Sequence, residues 1–460
     1  MRDAEKKYLV LGAARSGMAA IRLLCRLGRP SLMVDDKPAS SFPNESRELV
    51  ALKVPFYSGE KIPDSLWNDI QLVITSPGVP LKHALISIAL ERKIPVIGEM
   101  EFASRFARAP IAAITGTNGK TTTVRLAVEI LCEGGIPSIP TGNVGLPLSQ
   151  AILEDAVNHE KGCLVTEVST FQLETIRDFH PRTAVLLNIT PDHLDRHETM
   201  EAYRDLKYRI TENQRSDDIL IVNEDDSLCF DLCKKSRAQC LTFSIEKKVK
   251  RGAFLESGIL YLNLGDAVPL LKSDEIPIPG MHNIQNILAA ALVGASFGVK
   301  PEIMAKAVRA FKGVEHRLEF VSGINGVRFY NDSKATNLDS MEKALLSFSA
   351  PIVLITGGRD KGNNYQSLNS LIGARVKFLV SMGESAPLIM KSWGRICPSA
   401  SADSMRDAVQ RAFDAASSGD VILFSPGCSS FDAFQNYEHR GRAYKEEVGN
   451  FLSGRNAPHD

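Results

Sequence analysis

Gly119-Lys120-Thr121-Thr122 puts a permissive backbone, a positive charge and two hydroxyls on four consecutive residues. That set suits an anion with a metal counter-ion. It closes a longer stretch, Ile111-Ala-Ala-Ile-Thr115-Gly116-Thr117-Asn118-Gly119, in which an apolar run meets a glycine-bracketed turn. Behind it Val124, Ala127, Val128 and Leu131 recur at helical spacing until Gly134-Gly135 ends the pattern. Strand, turn and helix start in that order aim backbone N–H groups and the positive end of a helix dipole at one point, and Lys120 adds a whole charge. Thr121 or Thr122 then offers an oxygen to Mg²⁺. The spacing is not that of G-x-x-x-x-G-K-[ST], because Ile114 stands five before Gly119 and Gly116 is the first glycine. The complete setting still points to nucleotide phosphates on residues 116–122 rather than to a chance turn beside a lysine.

Other chemistry-bearing residues fall where strands should end. Glu167 follows Cys163-Leu-Val-Thr166, and an acid just past a second parallel strand is where a P-loop enzyme holds its metal. Ala184-Val-Leu-Leu-Asn188 leads into Asp192-His193-Leu-Asp-Arg-His197, too dense in titratable groups for an ordinary connection. Of its two histidines, His193 is the functional candidate ahead of His197. Met200, Tyr203, Leu206 and Ile210 form a helical stripe with Lys207 beside it. From spacing alone Lys207 reads as a snorkelling surface lysine. Asn143 is an exposed amide among glycines in Pro140-Thr-Gly-Asn143-Val-Gly, and Asn283 and Asn286 precede an alanine-rich helix over residues 287–297. Those two can cap the helix or reach a purine.

At the front of the chain, Tyr8-Leu-Val-Leu-Gly12, an amphipathic helix and Ser31-Leu-Met-Val-Asp35 read as a dinucleotide-type βαβ unit, with Asp35 placed for ribose hydroxyls. Ala14 replaces the middle glycine of G-x-G-x-x-G, which weakens an NAD reading. Leu72-Val-Ile-Thr75 delivers Ser76-Pro77-Gly78 to the ligand-binding edge of such a fold, in a turn suited to a nucleotide diphosphate. Late in the chain, three apolar strands end in polar loops: Asn331-Asp332-Ser-Lys334-Ala-Thr336, Gly357-Gly-Arg-Asp-Lys361, and Ser425-Pro-Gly-Cys-Ser-Ser430-Phe-Asp432.

These elements imply three α/β domains: a Rossmann-like N-terminal domain over residues 1–108, a central P-loop parallel-sheet domain over 109–312, and a Rossmann-like C-terminal domain over 313–460. Residues 228–269 read as short strands and turns without identifiable chemistry. The 460 residues, with 54 Lys plus Arg against 54 Asp plus Glu, give no charge-based reason to expect nucleic acid or a membrane. No apolar stretch approaches a membrane span or a signal peptide, so a cytoplasmic enzyme is expected. The eight cysteines lack zinc-site spacing and read as buried free thiols.

Thr115-Gly-Thr-Asn-Gly-Lys-Thr, Glu167 in Thr-Glu-Val-Ser-Thr-Phe-Gln-Leu-Glu, Asp192-His-Leu-Asp-Arg-His and His316-Arg317 together resemble the Mur ligases of peptidoglycan synthesis, over essentially the whole chain. Within that family, Ser76-Pro-Gly-Val-Pro, Asp332-Ser-Lys-Ala-Thr-Asn and Ser425-Pro-Gly-Cys-Ser-Ser-Phe-Asp look like the branch that adds D-glutamate to UDP-N-acetylmuramoyl-L-alanine. The resemblance implies ATP-dependent amide formation through an acyl phosphate, with ATP between the central and C-terminal domains. Gly116, Thr117, Asn118, Gly119, Lys120, Thr121 and Thr122 would hold its phosphates, Asn286 adenine, Asp332 the ribose, and Arg317 the phosphate region. It also implies two Mg²⁺ ions on Thr121, Glu167, His193 and a CO₂-derived carbamate on Lys207, with Lys334 in the catalytic set beside Lys120, Glu167, His193, Lys207 and Arg317. The uridine nucleotide would touch Ser16, Asp35, Ser76, Pro77 and Gly78, with Asn143 and His193 further along the substrate. D-Glutamate would meet Thr336, Lys361, Ser430 and Tyr437. Nothing in the chain demands more than a monomer. The nearest rivals are a sibling or folylpolyglutamate-type ligase with another acceptor. Further off lie a dehydrogenase built on Gly12 to Asp35 and an ATP-binding scaffold without catalysis.

Overall fold

Runs of valine, isoleucine and leucine too short for helices become strands buried on both faces, and the helix-length segments between them return the chain to run parallel. In the computed structural model, residues 6–58, 62–192, 194–197 and 199–456 are described. They form three sheets. The first contains β1 (Lys7–Leu11), β2 (Ser31–Asp35), β3 (Phe56–Ser58), β4 (Ile70–Thr75) and β5 (Val96–Gly98), all parallel in the order β3-β2-β1-β4-β5. At its centre Gly12 takes φ +102°, and a Cβ there would press on the Ser76 hydroxyl at 2.8 Å. The loop after β1 and the turn after β4 therefore pack as close as glycine allows.

The second sheet contains β6 (Ile111–Thr115), β7 (Ser138–Gly142), β8 (Cys163–Glu167), β9 (Thr183–Leu186), β10 (Ile219–Asn223), β11 (Gln239–Ser244), β12 (Gly252–Glu256), β13 (Ile259–Asn263) and β14 (Ala267–Lys272). Its order is β14-β13-β12-β11-β10-β9-β6-β8-β7, parallel from β7 through β12, with the last two strands antiparallel. The third sheet contains β15 (Glu319–Ile324), β16 (Val327–Asn331), β17 (Ile352–Gly357), β18 (Val376–Met382), β19 (Ser399–Ala402) and β20 (Val421–Phe424). Its order is β15-β16-β20-β17-β18-β19, parallel except for the β15 edge. By contact density the chain makes two compact units. One is residues 1–273 with 285–308, holding the first two sheets; the other is residues 274–284 with 309–460, holding the third.

Two expectations need correction. Residues 228–269 do not begin as strands and turns, because a helix occupies Ser227–Lys235. Asp226 caps it, its carboxylate accepting from the Leu228 and Cys229 amides, a start signal left unread among polar neighbours. Nor are all eight cysteines buried free thiols. That helix and β11 bring Cys233 and Cys240 together as a disulfide with a Cα–Cα distance of 5.8 Å, and Cys132 is exposed. The seven-residue separation spans a helix-to-strand turn, which spacing alone does not reveal.

Within the first unit, the first two sheets are joined through a buried acid. Glu101 is fully buried, yet it accepts backbone N–H groups from Arg177, Asp178 and Phe179 and the Arg105 guanidinium at 2.9 Å. Such a carboxylate is tolerable only because every lone pair is used. Glu101→Ala strands three backbone amides, while Arg105 keeps Asp178 at 3.0 Å, so a loss of about 3 kcal/mol is expected in denaturant unfolding. A change under about 1 kcal/mol would contradict that role.

Candidate active site

Strand β6 ends in a turn whose shape depends on two glycines, Gly116 at φ +153° and Gly119 at φ +86°. A Cβ at Gly116 would come within 2.9 Å of Leu187, and one at Gly119 within 2.2 Å of the Asn286 side chain. The helix Lys120–Glu133 starts directly behind, so its first amides face the turn. Asn188 clamps the turn from the end of β9: its Oδ1 accepts the Asn118 amide at 2.8 Å and its Nδ2 donates to the Asn118 carbonyl at 3.1 Å. Lys120 Nζ donates to the Gly116 and Thr117 carbonyls, both at 2.8 Å, which holds the ammonium over the turn. Thr117 Oγ1 bonds the Thr190 carbonyl and lies 3.2 Å from the Tyr203 hydroxyl. Asn188 and Tyr203 were missed in the sequence because neither belongs to the loop they hold.

Glu167, at the end of β8, is 2% exposed. Its Oε2 accepts Thr121 Oγ1 at 2.8 Å and its Oε1 accepts Asn143 Nδ2 at 2.9 Å. The structure thus selects Thr121 over Thr122 as the hydroxyl beside the acid. A hydroxyl and a carboxylate at a helix start form the hard oxygen set that suits Mg²⁺. Asn286 packs on Gly119 and accepts from Thr123 Oγ1 at 3.3 Å, so it sits against the phosphate turn.

Lys207 is no snorkelling lysine. It is 2% exposed, on the helix Met200–Tyr208, with Nζ 4.5 Å from the centre of the Tyr203 ring. Burial and the Lys120 charge push its pKa well below the ordinary lysine range, against Asp192 and Cys229, which raise it. The spacing misled because the apolar stripe of this helix continues onto the lysine's own face. His193 lies outside the described residues. His197 is buried, its Nε2 3.0 Å from Thr170 Oγ1 and its ring 5.5 Å from that of Tyr203, a structural placement.

In the same unit a cavity of about 550 Å³ opens beside β1. Ser16, Asp35, Ser76, Pro77 and Gly78 line it together with Asn143. Asp35 accepts the Ala13 amide at 2.8 Å and the Lys37 amide at 2.9 Å, tying the loops after β1 and β2. Asn143 lines the cavity while bonding Glu167, which bonds Thr121, so the cavity adjoins the turn of residues 116–122.

The second unit gathers three loops at the ends of β16, β20 and β17, which are neighbours in the sheet. Asp332 N donates to the Phe424 carbonyl, Gly427 N to Ala335, and Arg359 and Ser429 exchange backbone bonds. Arg440 is the residue that sequence reasoning missed here. Although 2% exposed, it donates to Ser333 Oγ, the Ser333 carbonyl and the Cys428 and Ser429 carbonyls, bracing two loops from inside the helix Tyr437–Asn456. In a run of charged residues it looks like surface. Lys334 Nζ sits 3.6 Å above the Tyr437 ring, Ser430 is buried, and Lys361 is exposed at its loop tip. Thr336 is half-buried in the first loop, and Arg317 follows His316 where the chain enters β15.

Asp332 accepts Ser425 Oγ at 2.9 Å and the Leu318 amide at 3.3 Å. Burial raises its pKa to about 7, against those hydrogen bonds and the Arg317 and Arg440 charges. A raised folded-state value favours the protonated form. The contribution of Asp332 to stability should therefore be fully present below pH about 4, be lost as pH rises to about 7, and then level. Asp332→Asn should flatten that part of the stability–pH curve, and an unchanged slope would show that Asp332 titrates normally.

Three family models cover the chain in order: the Mur ligase MurD-like N-terminal domain over residues 6–98, the Mur ligase middle domain over 114–294, and the Mur ligase glutamate ligase domain over 316–428. A UDP-N-acetylmuramoylalanine--D-glutamate ligase of Thermoanaerobacter sp. (strain X514) is 41% identical over 448 residues, which is 96% of this chain and 98% of that one. One of Koribacter versatilis is 41% identical over 96% of this chain and 97% of its own. Among solved structures, a pseudomurein peptide ligase type C from Methanothermus fervidus shares the fold at TM-score 0.62 and 15% identity, covering 97% of this chain and 100% of that chain. The MurF ligase of Thermotoga maritima, solved with ADP, does so at TM-score 0.61 and 18% identity, covering 99% and 100%.

Proposed function

The chain belongs to the Mur ligase family of ATP-dependent ligases, and we propose that it joins D-glutamate to UDP-N-acetylmuramoyl-L-alanine in the cytoplasmic stage of peptidoglycan synthesis. The observation that carries this reading is the run Thr121–Glu167–Asn143, in which one buried carboxylate bonds the phosphate-turn helix on one side and the wall of the β1 cavity on the other. A transferable phosphate on the turn and an acceptor acid reaching out of the cavity would meet there.

The chemistry follows from what a carboxylate lacks. It is a poor acceptor for an amine, so the L-alanyl carboxylate first attacks the γ-phosphorus of ATP, giving an acyl phosphate and ADP. The amine of D-glutamate then attacks the acyl carbon and phosphate leaves. Lys120 and the amides of residues 116–122 face the negative charge that builds on the transferring oxygens. When bound, Mg²⁺ would neutralise more of that charge. Thr121 and Glu167 are the oxygen donors here that would hold it, with His193 as a further ligand or as an aid to the amine's proton transfer.

Lys207 fits a different role from an ammonium. Almost fully buried and near the Lys120 charge, a charged amine is disfavoured there in spite of the Tyr203 ring and the Asp192 carboxylate. A neutral amine can add CO₂ and release a proton, giving a carbamate whose oxygens would serve a second Mg²⁺. For D-glutamate, Lys361 can pair with a carboxylate while Thr336, Ser430 and Tyr437 orient it. Asp332 and Arg317 are assigned to ATP, to the ribose and the phosphates. A single chain supplies every group, so the enzyme is proposed to act as a monomer.

ADP release with UDP-N-acetylmuramoyl-L-alanine and each amino acid in turn tests the assignment. D-Glutamate should support turnover, and L-glutamate, L-alanine and diaminopimelate should not. Turnover with diaminopimelate instead would make this a sibling ligase. Lys207→Ala should lose activity by about 10³-fold and recover part of it with added small carboxylic acids. Full activity without them would remove Lys207 from the mechanism.

A further inference from the structure

The cavity beside β1 is bridged by a contact that the reaction chemistry does not use. Asp36 lies in the loop after β2, and His83 lies after β4, at the start of the helix Ala84–Glu91. Strands β2 and β4 flank β1 on opposite sides, so their loops form two facing rims, and both residues line the cavity. His83 Nε2 is 3.0 Å from each carboxylate oxygen of Asp36. Its Nδ1 accepts the Leu85 amide at 3.2 Å and caps the helix. A ring nitrogen that accepts carries no proton, so the proton of the neutral ring is on Nε2, where it is donated to Asp36.

This contact completes a ring of tethers around the mouth. Asp35 ties the β1 and β2 loops through the Ala13 amide. Ser76 ties the β4 turn to β1, through its amide to the Leu11 carbonyl at 3.0 Å and its hydroxyl to the Gly12 carbonyl at 3.2 Å. Asp36 and His83 join the remaining pair of loops. Their side chains are 76% and 15% exposed, and contacts this open contribute little to folding. Once a ligand excludes water from the cavity, the same contact strengthens as the local dielectric falls.

We propose that His83 is a positioning residue for the nucleoside diphosphate end of the substrate, holding Asp36 across the cavity mouth so that the two rims grip base and ribose at a fixed spacing. This rests on placing the nucleotide half of the substrate in that cavity. The side chains allow the two functions of His83 to be separated. Asn at position 83 keeps an acceptor for the helix cap but is too short to reach Asp36. Gln reaches Asp36 as Nε2 does and gives up the cap.

The test is the calorimetric affinity for uridine diphosphate, together with kcat and KM for the full reaction, in wild type, Asp36→Ala, His83→Asn, His83→Gln and the Asp36→Ala/His83→Asn double variant. Asp36→Ala and His83→Asn should each weaken uridine diphosphate binding and raise KM for the nucleotide substrate by about 5-fold. In both, kcat and the KM values for ATP and D-glutamate should stay unchanged. The double variant should be no worse than either single change, because one contact is lost once. His83→Gln should stay within about 2-fold of wild type. If wild type and all variants bind uridine diphosphate alike, or if the two single effects multiply, the bridging role is wrong. If wild type turns over its substrate yet does not bind uridine diphosphate, the cavity assignment itself fails and takes the bridge with it.

Discussion

A buried carboxylate must find hydrogen-bond donors, and the two that Glu167 finds decide how this site is laid out. One is Thr121, the second residue of the helix behind the phosphate turn; the other is Asn143, in the wall of the β1 cavity. Because Glu167 ends a strand locked between β6 and β7, neither partner can drift without breaking a sheet register or stranding a charge. The turn proposed to hold a phosphate and the cavity proposed to hold the nucleotide substrate are thereby held next to each other by one side chain. An enzyme that must bring an acid to a γ-phosphorus needs that spacing fixed before either ligand arrives.

The positive charge nearby is managed with the same economy. Lys120 is satisfied by two carbonyls of its own turn, whereas Lys207 is buried where its ammonium is disfavoured. Two lysines close to a phosphate site look alike in a composition count. Their surroundings give them opposite tendencies, one to stay cationic and one to be neutral, and the two proposed roles differ accordingly. In the second unit an arginine has the structural role: Arg440 donates to loop carbonyls, so the loops after β16 and β20, which carry the residues proposed for D-glutamate, are tied to one helix.

Much of this was legible in the chain because parallel strands buried on both faces announce themselves as apolar runs, and the residue that follows each run is forced to the ligand-binding edge. Lys120, Glu167 and Ser76 stand out that way, whereas Asn143 shows only as an amide exposed among glycines. Lys207 was not legible from spacing, since an amphipathic stripe does not say which neighbouring helix will cover its margin, and the motif resemblance alone assigned it. Arg440, Asn188 and Tyr203 escaped for a related reason. They act on loops far away in sequence, and no local period encodes a partner 70 to 107 residues off. The Asp36–His83 contact likewise exists only because the sheet order sets β2 and β4 on either side of β1.

Cleavage of ATP to turn a carboxylate into an acyl donor leaves an isotopic record, read by labelling both oxygens of the L-alanyl carboxylate of the nucleotide substrate with oxygen-18 and examining the phosphate released with D-glutamate. Attack of that carboxylate on the γ-phosphorus predicts one labelled oxygen in the phosphate for every amide formed. Phosphate released at the same rate without label would mean that ATP is hydrolysed by water and that the acid is never activated here.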